Sequence, residues 1–105
     1  MTIYIHSGDA GTKFVLTIVD VDGVKIDVSS ASEKYLYFQK PDGTKFKVDA
    51  VFKTDGKDGI IQYVTGDYEI DQAGIWQVQG FVDVTEGSFF TRKTKFEVLP
   101  TLYID

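Results

Sequence analysis

The sequence predicts an all-β domain, and three features of the chain support that prediction. Runs rich in Val, Ile, Phe, Tyr and Thr alternate with period two, as strands with one buried face do. Short turn signals separate these runs: Asp22-Gly23, Pro41-Asp42-Gly43, Asp55-Gly56, Asp58-Gly59, Ala73-Gly74 and Glu86-Gly87. No stretch has a helical period long enough to compete. The 105 residues, with no linker, repeat or low-complexity segment, fit one domain.

The predicted strands cover residues 3–5, 13–20, 35–40, 45–54, 60–65, 75–84 and 89–99. Residues 24–28 are a candidate for one more short edge strand. Residues 30–33 have the spacing of a helical capping box, but we favour an irregular connection because such short matches are often false. Seven to eight strands in a chain of this length are typical of a β-sandwich.

Alternation within the strands predicts which side chains reach the core. Phe14, Leu16 and Ile18 share one face of their strand. The apolar residues of the run from 45 to 54 also share one face, and they are Phe46, Val48, Ala50 and Phe52. The opposite face of that run is mostly charged, which predicts one buried and one solvated side.

The most specific local pattern lies at residues 70–78, where Gly74 provides a tight entry into a strand and Trp76 precedes Val78 by two positions. Immunoglobulin-like sandwiches carry an aromatic residue, usually Tyr, at the corresponding corner. An indole offers only an N–H donor, so the usual hydroxyl bond must be different or absent. We interpret Trp76, Gly74 and Val78 as a structural corner, in preference to Trp76 as a ligand-stacking residue.

These observations together predict an all-β, immunoglobulin-like β-sandwich of two antiparallel sheets. The sandwich is expected to cover residues 1–99, followed by a tail at residues 100–105. Val78 stands where such domains often carry a disulfide cysteine, which agrees with the absence of Cys from the chain.

Composition excludes several classes of function. The lack of Cys excludes disulfides, thiolate zinc sites and cysteine nucleophiles, and the single His6 excludes a site built from several histidines. A net charge of −5 argues against nucleic acid or an anionic membrane as the main partner. No apolar run approaches the ~20 residues of a membrane span, and no export signal is visible, so we expect synthesis in the cytoplasm.

Several loops superficially match chemical sites. Residues 20–23 and 55–59 resemble parts of calcium loops, residues 6–9 contain His, Ser and Asp, and residues 8–12 are rich in glycine. Each pattern lacks a required partner and fits ordinary turn chemistry. We therefore predict no catalytic, cofactor or metal site and no enzymatic activity, although sequence alone leaves calcium binding open.

The aromatic content of 14% exceeds what the core of a small sandwich needs. Tyr35 and Tyr37 share one strand face, and the adjacent Phe89 and Phe90 must point to opposite faces. Surplus apolar surface of this kind indicates an interaction surface. We predict Tyr35, Tyr37 and Phe89 as protein-contact residues, with sugar stacking on the tyrosine pair as the alternative.

The C-terminal residues form a second candidate for protein contact. Leu102, Tyr103 and Ile104 are apolar, and Pro100 interrupts the preceding strand because it lacks a backbone donor. The expected role of this tail is docking on a neighbour by strand addition.

Four motifs occur in order along the chain: IHSGDAGT at residues 5–12, FQKPDGT at 38–44, GIIQY at 59–63 and DQAGIWQVQ at 71–79. Their order and spacing resemble those of small immunoglobulin-like proteins and domains of tailed bacteriophages, including the N-terminal domain of baseplate upper proteins.

The resemblance implies a non-enzymatic virion component of the tail, baseplate or head that binds other virion structural proteins in several symmetric copies. Because the baseplate proteins continue into a long further region, a chain ending at Asp105 is expected to be an adaptor or decoration subunit. A carbohydrate-binding β-sandwich module, with a surface glycan as its ligand, remains the alternative function.

We predict that deleting residues 100–105 leaves a folded domain but abolishes assembly into the particle. Circular dichroism and the copy number in purified particles would measure the two effects. Unchanged assembly of the truncated chain would rule out docking through the tail.

Overall fold

Nine strands form two sheets in the computed structural model, which describes residues 5–66 and 69–100. The strands are β1 (Ile5–His6), β2 (Lys13–Thr17), β3 (Glu33–Gln39), β4 (Lys45–Asp49), β5 (Val51–Phe52), β6 (Ile60–Val64), β7 (Gly74–Val84), β8 (Gly87–Phe90) and β9 (Thr94–Leu99). No helix occurs among the described residues. The predicted all-β sandwich is confirmed.

The larger sheet is organised around β7. Its strand order is β1-β9-β7-β3-β4, and β8 pairs with the second half of β7. Residues 74–78 of β7 pair with β9, and residues 81–84 pair with β8. All of these pairs are antiparallel except β1 with β9, which is parallel. The smaller sheet has the order β2-β6-β5.

Two of the predicted strands are each divided in the structure, which raises the number of strands to nine. The run from 45 to 54 crosses between sheets at Ala50, which is buried, so β4 joins the larger sheet and β5 the smaller one. The run from 89 to 99 breaks at residues 91–93. Thr91 occupies the break: its amide donates to the Gly80 carbonyl, and its hydroxyl accepts the Gly80 N–H at 2.8 Å.

The short elements predicted from sequence differ from those observed. Residues 24–28 contribute one isolated bridge, between Val19 and Lys25, and no strand. The capping-box pattern forms no helix, because Glu33 already begins β3. Residues 3 and 4 of the first predicted strand and residues 101–105 of the tail lie outside the described residues.

The core lies between the two sheets and follows the predicted alternation. Phe14 and Ile18 of the smaller-sheet side face Leu36 and Phe38 of β3, and all four are buried. The rings of Phe14 and Phe38 meet edge to face with centroids 5.1 Å apart. Full burial of such side chains contributes about 1.5–3 kcal/mol each.

The corner before β7 is held by Trp76, whose side chain is fully buried. Its indole N–H donates to the Gln72 carbonyl at 2.9 Å, so the hydrogen bond differs from that of a tyrosine corner but still joins strand to corner. Gly74 has φ +132°, and a Cβ there would lie 2.8 Å from Cγ of Pro41. The β3–β4 turn therefore rests directly on this glycine.

Polar contacts complete the link between the β3–β4 turn and the corner. The Asp42 carboxylate accepts hydrogen bonds from the Thr44 amide and the Gln72 side chain, both at 2.9 Å. The backbone bond from Thr44, followed by the Gln72 side chain, lowers the pKa of Asp42 to about 2. An ion pair between Lys40 and Asp71, at 2.9 Å, spans the same two segments.

We predict that Trp76→Ala lowers the free energy of unfolding by about 3–5 kcal/mol, because it empties a large, fully enclosed site. Urea denaturation would measure the loss. Ile75→Ala is the matched control, since Ile75 precedes Trp76 on the same strand and is half exposed. A loss below ~1 kcal/mol for Trp76→Ala would contradict a structural role for this residue.

We predict that Gln72→Ala raises the pKa of Asp42 from about 2 towards 3.8, but not completely, because the Thr44 amide remains. NMR titration of the Asp42 carboxyl would measure the change, with Gln62→Ala as a control distant from the corner. Since the folded-state pKa is lowered, the charged carboxylate stabilises the fold above pH 3.8, and this contribution is lost as the pH falls towards 2. An unchanged pKa in Gln72→Ala would contradict the bridging role of Gln72.

Candidate docking surface

The outer face of the larger sheet carries a group of four aromatic side chains. On β3 and β7 the buried residues alternate with Tyr35, Tyr37 and Phe81, which point away from the core. Register places Tyr35 beside Phe81, and Phe81 beside Phe90 of β8. We call Tyr35, Tyr37, Phe81 and Phe90 the aromatic strip.

The rings of the aromatic strip contact one another before any partner binds. The centroids of Phe81 and Phe90 lie 4.8 Å apart, and Tyr35 stacks on Phe81 with an interplanar angle of 8°. Tyr37 meets Phe81 edge to face at 6.4 Å. Phe90 is 58% exposed and Tyr37 is 37% exposed. Rings held in place on a sheet lose little conformational entropy on binding, which favours their use in an interface.

Amide and ammonium groups border the aromatic strip. A shallow groove of about 420 Å³ runs between Tyr37 and Phe90 and is lined by the side chains of Gln39, Gln77 and Gln79. The Gln79 amide is oriented by a 2.9 Å hydrogen bond to the Thr91 carbonyl. On the other side of the strip, the Lys47 ammonium lies 4.4 Å from the Tyr35 ring centroid, a cation–π distance.

Phe90, rather than the predicted Phe89, is the exposed member of the adjacent pair. Antiparallel pairing puts Phe89 beside Val82, which is fully buried, so Phe89 packs against the core. The sequence contained a signal for this orientation. Trp76 and Val78 indicate that even-numbered residues of β7 face inward, and any two-residue turn near Glu86-Gly87 pairs residue 89 with an even-numbered residue of β7. In the structure the turn residues are Thr85 and Glu86, and the partner of Phe89 is Val82.

The other predicted contact residues fall in two places. Tyr35 and Tyr37 lie in the aromatic strip, where the structure brings them together with Phe81 and Phe90. Leu102, Tyr103 and Ile104 lie outside the described residues.

A second groove, of about 780 Å³, lies between β2 and the break that separates β8 from β9. Its lining includes the exposed Val15, Val19 and Val21 together with Arg92, and it shares Phe90 with the aromatic strip. These valines stand singly along a strand and turn, whereas the aromatic strip presents four rings in contact. The aromatic strip is therefore the better-organised surface.

The acidic loops use their carboxylates to hold turns. Asp20 accepts the amides of Asp22 and Val24 at 2.9 and 3.0 Å, and Asp58 accepts the Ile60 amide at 3.1 Å. Such bonds are typical of Asx turns. Over residues 5–66 and 69–100, no group of three or more His, Cys, Asp or Glu side chains is placed to hold a metal ion.

The other two loop patterns are also part of the framework. The Asp9 carboxylate accepts the backbone N–H of His6 at 2.9 Å, which closes the loop instead of orienting an imidazole. The amides of Gly8 and Gly11 donate to the carbonyls of Ile70 and Thr65, so they do not face an anion.

One titratable pair lies away from the docking surface. The Tyr63 hydroxyl donates to the Glu69 carboxylate, which also accepts the Gly66 amide at 2.6 Å. Burial and the adjacent carboxylate raise the pKa of Tyr63 to about 12. The phenol therefore remains protonated near neutral pH and anchors the segment after β6.

The described part of the chain contains no helix of sufficient length and apolarity to cross a membrane.

Comparison with known proteins places the chain in a family. No curated protein matches the sequence. The family model of the BppU N-terminal domain matches residues 1–105, which is the whole chain. This match confirms the resemblance seen in the sequence motifs. The chain belongs to the BppU N-terminal domain family and is a structural domain related to the phage baseplate.

Proposed function

We propose that the chain is a non-enzymatic assembly subunit of a phage particle, acting through protein–protein contacts made by the outer face of its larger sheet. Family membership supports a place among the baseplate proteins. The single observation that carries the contact role is the aromatic strip. Interface cores are enriched in Tyr, Phe and Trp, and a few such residues supply most of the binding energy.

A protein partner fits this surface better than a sugar. A sugar would stack on an open ring face, and Tyr35 already stacks on Phe81 within the chain. The strip extends over three strands and is bordered by lysines and glutamines, as expected for an apolar centre with a polar rim.

The absence of activity is part of the same proposal. The loop carboxylates that sequence motifs suggested for chemistry accept backbone amides at 2.9–3.1 Å. The Tyr63 hydroxyl is held by Glu69 at 2.5 Å. These groups are engaged in maintaining the fold, which supports a structural function.

We predict that the double variant Tyr37→Ser, Phe90→Ser greatly reduces incorporation of the chain into particles. Loss of two interface aromatics typically weakens binding by ~2 kcal/mol or more, about thirtyfold. Quantitative mass spectrometry of purified particles would give the copy number. Val51→Ser is the control, because Val51 is also exposed but lies on the smaller sheet.

Normal copy number in the double variant, with unfolding behaviour like that of the wild type, would contradict the proposed docking surface. If incorporation were normal and the isolated domain bound a glycan only when Tyr35 was intact, the carbohydrate-binding alternative would replace it.

A further inference from the structure

Charges are segregated along the outer face of the larger sheet. Glu33, Asp49 and Asp83 lie towards one end of the strands, and we call them the acidic end. The other end carries the exposed Lys45, Lys47, Lys93 and Lys95, which we call the basic end; one exposed acid, Glu97, lies beyond Lys95 on β9. The basic end is notable in a chain whose net charge is −5.

The strand register sets this arrangement. Residues paired across the strands form rows, and every second row faces outward; we call each outward-facing row a level. Glu33 pairs with Asp83 in the level at one end, and Asp49 pairs with Tyr35 in the next level. Lys47 then pairs with Tyr37, one level further along the same strand as Asp49. Two more pairs, Lys45 with Gln39 and Lys95 with Gln77, form the next level, and beyond it the exposed Glu97 of β9 pairs with Ile75. The aromatic strip occupies the middle of the face.

These charges have no ion-pair partner within the described chain. Over residues 5–66 and 69–100, the only ion pair within 4.0 Å joins Lys40 and Asp71. Lys47 instead contacts a ring, and Asp83 accepts a hydrogen bond from the Ser88 hydroxyl at 2.9 Å. The two ends are therefore available to charges on another molecule.

We infer that the partner seated on this face is a second copy of the same chain, packed sheet against sheet through the aromatic strip. The inference rests on the proposed function, which assigns the face to protein contact. The two copies are related by a two-fold axis. This axis lies in the plane between the larger sheets of the two copies and runs perpendicular to their strands.

Charge complementarity selects this axis. Rotation about it reverses the strand direction while keeping β4 over β4, so the acidic end of one copy covers the basic end of the other. Asp49 of each copy then lies over Lys47 of its partner. A two-fold axis parallel to the strands would instead put acidic end on acidic end and basic end on basic end, which is unfavourable. Because the contact is isologous, each favourable pair occurs twice.

The size of the face limits the strength of the dimer. Four strands about 4.8 Å apart and about 23 Å long present roughly 400 Å² in projection on each copy. When the extra area of the protruding side chains is included, two such faces bury on the order of 1,000 Å² in total, near the lower limit for a specific interface. We expect the free domain to associate weakly, and several copies fixed in one particle would strengthen the contact through effective concentration.

Sedimentation equilibrium of the full chain, from about 10 µM to about 1 mM, tests the inference. The wild type is expected to pass from monomer to dimer, with weaker association at about 500 mM salt than at about 50 mM because the charges are screened. A chain that stays monomeric throughout would overturn the inference.

Paired charge reversals test the axis. Lys47→Glu and Asp49→Lys each create two like-charge contacts, so each variant alone is expected to dimerise at least about tenfold more weakly. Mixing the two variants restores both opposite-charge contacts, and the mixed dimer should form within about threefold of the wild-type affinity. Lys13→Glu and Asp22→Lys are the controls, since they make the same charge changes elsewhere and should leave dimerisation nearly unchanged.

Loss in both single variants with recovery on mixing supports the inference. Loss without recovery, or no loss, overturns it. The particle experiment distinguishes failure of this inference from failure of the proposed function. If the chain stays monomeric but its incorporation still requires Tyr37 and Phe90, the docking surface stands and its partner is a different protein.

Discussion

Burial of Trp76 at the entrance to β7 fixes which side chains of the central strand face the core. β7 is the central strand of the larger sheet and pairs with β3, β8 and β9. Side chains alternate along a strand, so fixing Trp76 inward also turns Val78 and Val82 into the core. The same alternation directs Phe81 outward. The hydrogen bond from the indole to the Gln72 carbonyl holds this orientation at the point where the chain enters the strand.

The core faces could be predicted from sequence because alternation is local, whereas the division of strands between sheets is not. Phe46 and Phe52 point inward whether residues 45–54 form one strand or cross between sheets at Ala50. A pattern of period two is identical in both cases. The break at Thr91 also could not be predicted from the local sequence, since it depends on hydrogen bonds to Gly80, eleven residues earlier.

The docking surface was only partly predictable for the same reason. Tyr35 and Tyr37 are neighbours on one strand, and their shared face follows from sequence alone. That Phe81 and Phe90 lie beside these tyrosines follows only when the register between strands is known. The separation of acidic and basic ends depends on the register in the same way. The structural role of the loop Asp and Gly residues was easier to predict from sequence, because it depends on interactions with the neighbouring backbone. Family membership, in turn, places the domain among baseplate proteins without specifying which face is used.

We propose that this domain is built into the particle through the outer face of its larger sheet. Electron cryomicroscopy of purified particles would show which face of the domain contacts its neighbours. We expect another protein chain packed over the aromatic strip, with Tyr37 and Phe90 excluded from solvent. Density showing this face open to solvent, while the domain is held through its smaller sheet or its loops, would contradict the claim.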